Sequence, residues 1–293
     1  MTALARRLPR LATTLPAIDW RRAAPAIAGS VAFAILFAEP FTTLLHDWLH
    51  DPDAGHGLLL GPLALYLAWR RGRAPTAHTQ PVAGLVVLVA AVLLRYVSGL
   101  AAELFTMRVS LWIAGAGLVV FLAGWAQLRH WWLSAVLLAL SVPLPAVVLG
   151  TVALPLQLVA SRLGAALLGM RHVPVALAGN VIQLPGRSLF VTEACSGLRS
   201  LTALVALGIL LGVLILRSPW LRVVVLAAAI PVAILVNGLR VFLTGFVVYF
   251  VSPAAGEGVM HLTEGWVMFV GAFCILGALS WSLSWLEKRR QAA

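Results

Sequence analysis

The sequence predicts an all-α polytopic membrane protein of about eight transmembrane helices, both termini on one side, with a small extracytoplasmic loop or β-hairpin in its second half. Three observations predict it. The chain has 293 residues, of which 61% are hydrophobic and 11% charged, whereas a water-soluble domain carries roughly 25% charged residues. Mean hydropathy is +0.99. The apolar residues also run in blocks reaching the ~17–25 residues that cross a bilayer, with the charges gathered in the links. The net charge of +11 comes with no basic stripe interleaved with aromatics, so nucleic acid is not an expected partner. Two cysteines, Cys195 and Cys274, are too few for a disulfide scaffold or a cysteine-rich metal site.

By length, the spans fall near residues 25–45, 55–69, 82–101, 106–125, 131–149, 197–216, 221–243 and 263–283. Arg6, Arg7, Arg10, Arg21 and Arg22 precede the first, too many and too dispersed for a cleaved signal peptide, so that span is expected to remain as an anchor. The links after the second, fourth, sixth and eighth spans hold Arg70, Arg71 and Arg73; Arg129; Arg217 and Arg222; and Lys288, Arg289 and Arg290. That face gathers fourteen of the 21 cations against Asp19 and Glu287 alone, which puts both termini in the cytoplasm. The expected organisation is a basic N-terminal segment (1–24), one transmembrane unit (25–287) and a cytoplasmic tail (288–293).

The apolar block 151–168 is interrupted by Gln157, Ser161 and Arg162 on one helical side. A mid-bilayer arginine costs at least ~2.5 kcal/mol, so a helix lying in the outer interface is expected there. Residues 171–194 form the one long non-spanning stretch. Gly179-Asn180 and Pro185-Gly186 signal turns, and Val181–Leu184 and Ser188–Thr192 are short β-like runs. They lead directly into Cys195.

Cys195 opens the sixth span in Thr-Glu-Ala-Cys-Ser-Gly-Leu-Arg-Ser, residues 192–200. A membrane cysteine is commonly a small packing residue. Here a helix start and Arg199, one turn on, both favour a thiolate. Cys274 lies ~16 Å into the last span by helical rise and is expected to pack. Arg240, in Val-Asn-Gly-Leu-Arg-Val-Phe-Leu-Thr-Gly (236–245), is costly near a span end unless it is paired, snorkels, or faces a wet cavity. His261 opens the last span, with Glu257 and Glu264 as alternative orienting groups. Cysteine, arginine and histidine on one face make a set for nucleophilic acyl transfer: nucleophile, oxyanion donor and proton carrier. His46, His50 and His56 with Asp47, Asp51 and Asp53 crowd the first outer loop. They lack a His-Glu-x-x-His pattern, so a solvated loop is expected and neither metal nor cofactor is.

Several runs together resemble the exosortase/archaeosortase family. These are Gly179-Asn180-Val181-Ile182 with Leu184-Pro185, Glu193 to Arg199, Asn237-Gly238-Leu239-Arg240-Val241, and His261 before Gly265-Trp266. His56-Gly57 ahead of Leu65 to Arg71 completes the pattern over roughly residues 50–285. The resemblance implies a cysteine protease or transpeptidase of the bacterial inner membrane, its active site facing the periplasm. Its partners would be the lipid bilayer and membrane-anchored proteins bearing a C-terminal sorting signal: a Pro-Glu-Pro-type motif, a transmembrane helix and a basic tail. Such members are often associated with exopolysaccharide production. By motif match the catalytic residues fall on Cys195, Arg240 and His261, with Arg199, Glu193, Ser196, Asn237 and His56 supporting them or binding substrate. Some bacterial members carry a further soluble C-terminal domain, whereas this chain stops at Ala293, which leaves the subtype and its signal open. Two other readings stand beside it. One is a transporter with Arg240, Arg95 and the outer acids along a pathway; the other is a non-catalytic partner in polysaccharide export. Polar residues gather at the outer span ends while span centres are nearly pure Leu, Val and Ala, which favours an interfacial site over a conduit.

Overall fold

The computed structural model describes residues 20–51, 54–191, 198–251 and 259–292. Within them the order is α1 (Trp20–His50), α2 (Gly57–Arg71), α3 (Pro81–Leu100), α4 (Leu104–His130), α5 (Trp132–Leu140), α6 (Ala146–Met170), β1 (Ala176–Ala178), β2 (Val181–Leu184), β3 (Arg187–Phe190), α7 (Leu198–Ile215), α8 (Pro219–Phe250) and α9 (Val259–Ala292). The chain is a multi-pass membrane protein. Among the described residues six helices are long and apolar enough to cross a membrane: α1, α3, α4, α6, α8 and α9.

The expected spans near 55–69 and 197–216 are α2 and α7, which are not among those six, and two further expectations about the spans change. The block 131–149 is not one helix, because α5 ends at Leu140 and the chain turns through Ser141–Pro145 before α6. Pro143 and Pro145 explain the break, since each lacks an N–H and disfavours helix in the residue before it. Residues 151–168 instead belong to a continuous helix, α6, with Pro155 inside it. Its polar side does not face solvent: Gln157 is 6% exposed and Ser161 fully buried, and only Arg162 of the three points away.

In the α1–α5 half, small residues set the helix spacing. A Cβ on Gly84 would lie 2.3 Å from the Phe121 Cα, and one on Gly117 3.0 Å from the Leu88 nitrogen, so α3 and α4 approach backbone to backbone. Gly124 kinks α4 at φ 80°, directly beside the His78 carbonyl. Trp48 of α1 fills the hollow over Gly57 and Gly61 of α2 and donates to the Ser141 carbonyl at 2.8 Å. At the arginine-rich end, Gln127 brackets the α2–α3 link, accepting from Ala74 N (2.8 Å) and donating to the Gly72 carbonyl (3.1 Å). Ion pairs fasten α1 to its neighbours: Glu39 to Arg95, and Asp47 to the buried Arg108 at 2.8 Å.

The second half holds the sheet. Three antiparallel strands run β1-β2-β3, a meander rather than a lone hairpin, with Ile182 opposite both Leu177 and Leu189. Gly179 (φ 64°) opens the first two-residue turn. Gly186 (φ 75°) follows Pro185 in the second, the arrangement of a type II turn. Ile182, Leu184 and Val191 bury their side chains in a core shared with Ala160, Ala165 and Leu168 of α6 and Val241 and Val248 of α8.

Candidate active site

Helices α7, α8 and α9 form a unit with a chemically distinct end. Beside the Arg217–Ser218 turn, a Cβ on Gly212 would lie 3.4 Å from the Arg222 Cα and one on Gly208 3.5 Å from the Leu226 Cα, so the end of α7 meets the start of α8. Glu287 of α9 accepts from Arg217 N (3.0 Å) and Ser218 N (2.6 Å), placing a carboxylate at the N-terminus of α8. Arg217, Arg222 and Lys288 to Arg290 therefore share one end. The middle is apolar: Leu204, Ala229, Ala233, Ala272 and Leu276 make one buried core.

Beyond that core, at the end away from Glu287, lie the start of α7, Arg240 on α8 and the backbone of His261 in the first turn of α9. By helical rise, Leu198, Arg240 and His261 stand roughly 9, 10 and 16 Å past Leu204, Ala233 and Ala272. Arg240 is half-buried, and its carbonyl accepts from the Thr244 hydroxyl at 3.0 Å. Asn237, one turn before it, is 6% exposed. Close contacts of α6 surround this stretch of α8, with Leu163 against Gly238, Gly164 against Val241 and Leu168 against Gly245. The glycines leave room for the Leu163, Val241 and Leu168 side chains, so the two helices pack closely.

The sheet is tied to the same place. Arg187 donates to the Val248 carbonyl at 2.9 Å, two turns beyond Arg240. Asn180 donates to Gln157 Oε1 at 3.0 Å and to the Val191 carbonyl at 3.1 Å. Val191, 1% exposed, belongs to the same core as Val241. Four residues after Val191 comes Cys195, within at most ~14 Å of it by chain length.

Cys195, Glu193, Ser196 and Glu257 lie outside the described residues, as do the side chains of Arg199, His261 and Glu264. His56 stands just before α2, with Nε2 3.2 Å from the Leu140 carbonyl, and α2 and α5 share a buried core with Ala206 of α7. His46 and His50 stack at 4.4 Å, and Asp47 turns inward to Arg108. Cys274, expected to pack, is exposed on α9, because Ala272 and Leu276 are the residues turned toward α7 and α8. Two groups that fix this region, Gln157 and Asn180, show in the sequence as an interface-helix polar side and a turn residue. The available signal was a glutamine inside an apolar helix, where an amide needs a partner.

A helical bundle with six apolar helices long enough to cross a membrane and a basic end defines the class: a polytopic membrane protein. The chain belongs to the transmembrane exosortase family, whose model matches residues 48–278. That match takes in Cys195, Arg240 and His261. No curated protein and no solved structure matches the chain. The family is one of membrane cysteine proteases and transpeptidases.

Proposed function

We propose that the chain cleaves membrane-anchored proteins at a C-terminal sorting signal, at the periplasmic face of the inner membrane. Cys195 is the nucleophile, Arg240 the oxyanion partner and His261 the proton carrier. The observation that carries this reading is the shared core of Val191 and Val241, since it holds the entry to the cysteine segment beside the arginine helix turn. The charge rule supports the orientation, because the opposite end of α7–α9 carries the arginines and lysine.

The substrate helix docks from the bilayer, so that its extended signal lies at the interface. The thiolate adds to the scissile carbonyl, and the developing oxyanion is met by the planar donor fork of Arg240. The C–N bond then breaks, His261 delivers a proton to the leaving amine, and a thioester remains on Cys195. Water or an acceptor amine attacks that thioester and releases the thiolate. Arg199, Glu193, Ser196 and Asn237 flank the reacting groups along the chain and support or bind substrate. Exopolysaccharide-linked protein sorting is the setting this activity fits.

The test is mass spectrometry of a reporter carrying a sorting signal in reconstituted membranes. The expected result is one new C-terminus with the native chain and none with Cys195→Ala. Full trimming by Cys195→Ala would rule the mechanism out. A water-derived or amine-derived terminus separates hydrolysis from transfer.

A further inference from the structure

On the reading that Cys195 is the nucleophile, we infer that Asn180, held by Gln157, is a positioning residue that orients the peptide from which the cysteine segment departs. The Asn180 amide has two hydrogens, and both are engaged: one on Gln157 Oε1 at 3.0 Å, the other on the Val191 carbonyl at 3.1 Å. Val191 N in turn donates to the Asn180 carbonyl at 2.9 Å. Val191 is thus bound at both of its backbone groups by one residue. Its carbonyl belongs to the Val191–Thr192 peptide, so fixing that oxygen fixes the direction in which the chain leaves the sheet.

Gln157 makes the arrangement directional. It is 6% exposed within an apolar helix, and its own carbonyl accepts from the Ser161 hydroxyl at 2.7 Å. Its side-chain oxygen presents an acceptor where the Asn180 amide needs one. The polar side of α6 therefore has a specific task, holding Asn180 against α6 while Asn180 holds Val191. Arginine fastens the other end of β3 through Arg187 and the Val248 carbonyl. The departing chain is referenced at once to α6 and to the helix that carries Arg240.

Asparagine is required by chemistry rather than size. Aspartate has the same shape but no donor, and its carboxylate would face two oxygens. A loosened Val191 carbonyl changes the direction in which the chain sets out toward Cys195, whose thiolate form depends on the charges it meets. Misplacement by about 1 Å can cost on the order of 10²-fold in turnover.

The experiment uses the full chain in lipid nanodiscs with Cys274→Ala, which leaves Cys195 as the sole thiol. Two quantities are read: the pH midpoint of Cys195 alkylation by iodoacetamide, and kcat and KM on the reporter. Asn180→Asp is expected to raise the midpoint by at least about one pH unit and to lower kcat on the order of 10²-fold with little change in KM. Gln157→Met is expected to lower kcat about tenfold and to raise the midpoint by about half a pH unit, and Gln157→Glu, which keeps an acceptor, to recover kcat relative to Gln157→Met. If Asn180→Asp does not fold, Gln157→Met carries the test alone. Variants that melt earlier yet keep the native midpoint and kcat below their melting temperature would overturn the proposal. Full activity in Cys195→Ala would instead remove the nucleophile assignment, while the alkylation midpoint would still report on Asn180.

Discussion

The two halves of the molecule use polar side chains for different ends. In α1–α5 they close local joints. Arg108 meets Asp47 and the Thr43 carbonyl, Gln127 clasps the α2–α3 link, and Glu103 caps α4 through Phe105 N and Thr106 N. The first two join elements that are already neighbours, and Glu103 closes the start of its own helix. In α6–α9 they act across the sheet: Gln157, Asn180 and Arg187 fix a strand whose continuation carries the candidate nucleophile. A polar group in a membrane bundle can thus serve as a clamp or as a reference point, and what it holds decides which.

Substitutions can break or sharpen that contrast. The largest expected effects are on turnover alone: Cys195→Ala should reduce cleavage on the order of 10³-fold or more, and Arg240→Gln about 10²- to 10³-fold. Both should melt near the native temperature, as read by thermal unfolding in detergent. An Arg240→Gln protein that turns over normally would erase the functional half of the comparison.

Next comes Trp48→Ala in the other half, expected to cost about 3–5 kcal/mol through the void over Gly57 and Gly61. The folded fraction should keep native turnover. Asp47→Asn leaves Arg108, 5% exposed, without its counter-charge and should cost about 3 kcal/mol. The pair Asp47→Leu with Arg108→Met should recover much of that loss in the same denaturation assay.

His56 tests the boundary directly, since it lies in a matched motif yet bonds the Leu140 carbonyl. His56→Ala is expected to lower stability by about 1 kcal/mol and to leave kcat within a few-fold. Loss of turnover in the folded protein would move His56 into the functional half.

The smallest effect concerns Glu103. Its carboxyl is held below the ordinary range chiefly by the Thr106 hydroxyl and then by the Thr106 N–H, with burial opposing and the Phe105 N–H and Arg108 adding less. A lowered folded pKa stabilises above the unfolded value and is lost as pH falls through the folded one. Glu103→Gln should therefore destabilise by about 1 kcal/mol at pH 7. The gap to the native chain should close below roughly pH 4.

Much was legible in one dimension. Apolar runs marked the membrane helices, charges marked their ends, and Gly179-Asn180 and Pro185-Gly186 marked both turns of the sheet. Cys195 stood out because it opens a span one turn before Arg199, Arg240 because an arginine is costly near a span end, and His261 because it shares their face. The break at Ser141–Pro145 was hidden because hydropathy counts apolar residues without weighing what two prolines do to a helix. Gln157 misled because an amphipathic pattern says that one side of a helix differs, not what covers it.

The sequence alone determined that this chain lives in a membrane, which end of the α7–α9 unit is basic and which residues are chemically equipped to act, since composition and charge position are properties of the chain itself. Only the tertiary structure decided that Gln157 faces Asn180, that Asp47 turns to Arg108 and that Val191 shares a core with Val241. Those partners lie far apart along the chain, and hydrogen-bond geometry exists only once helices and strands have packed.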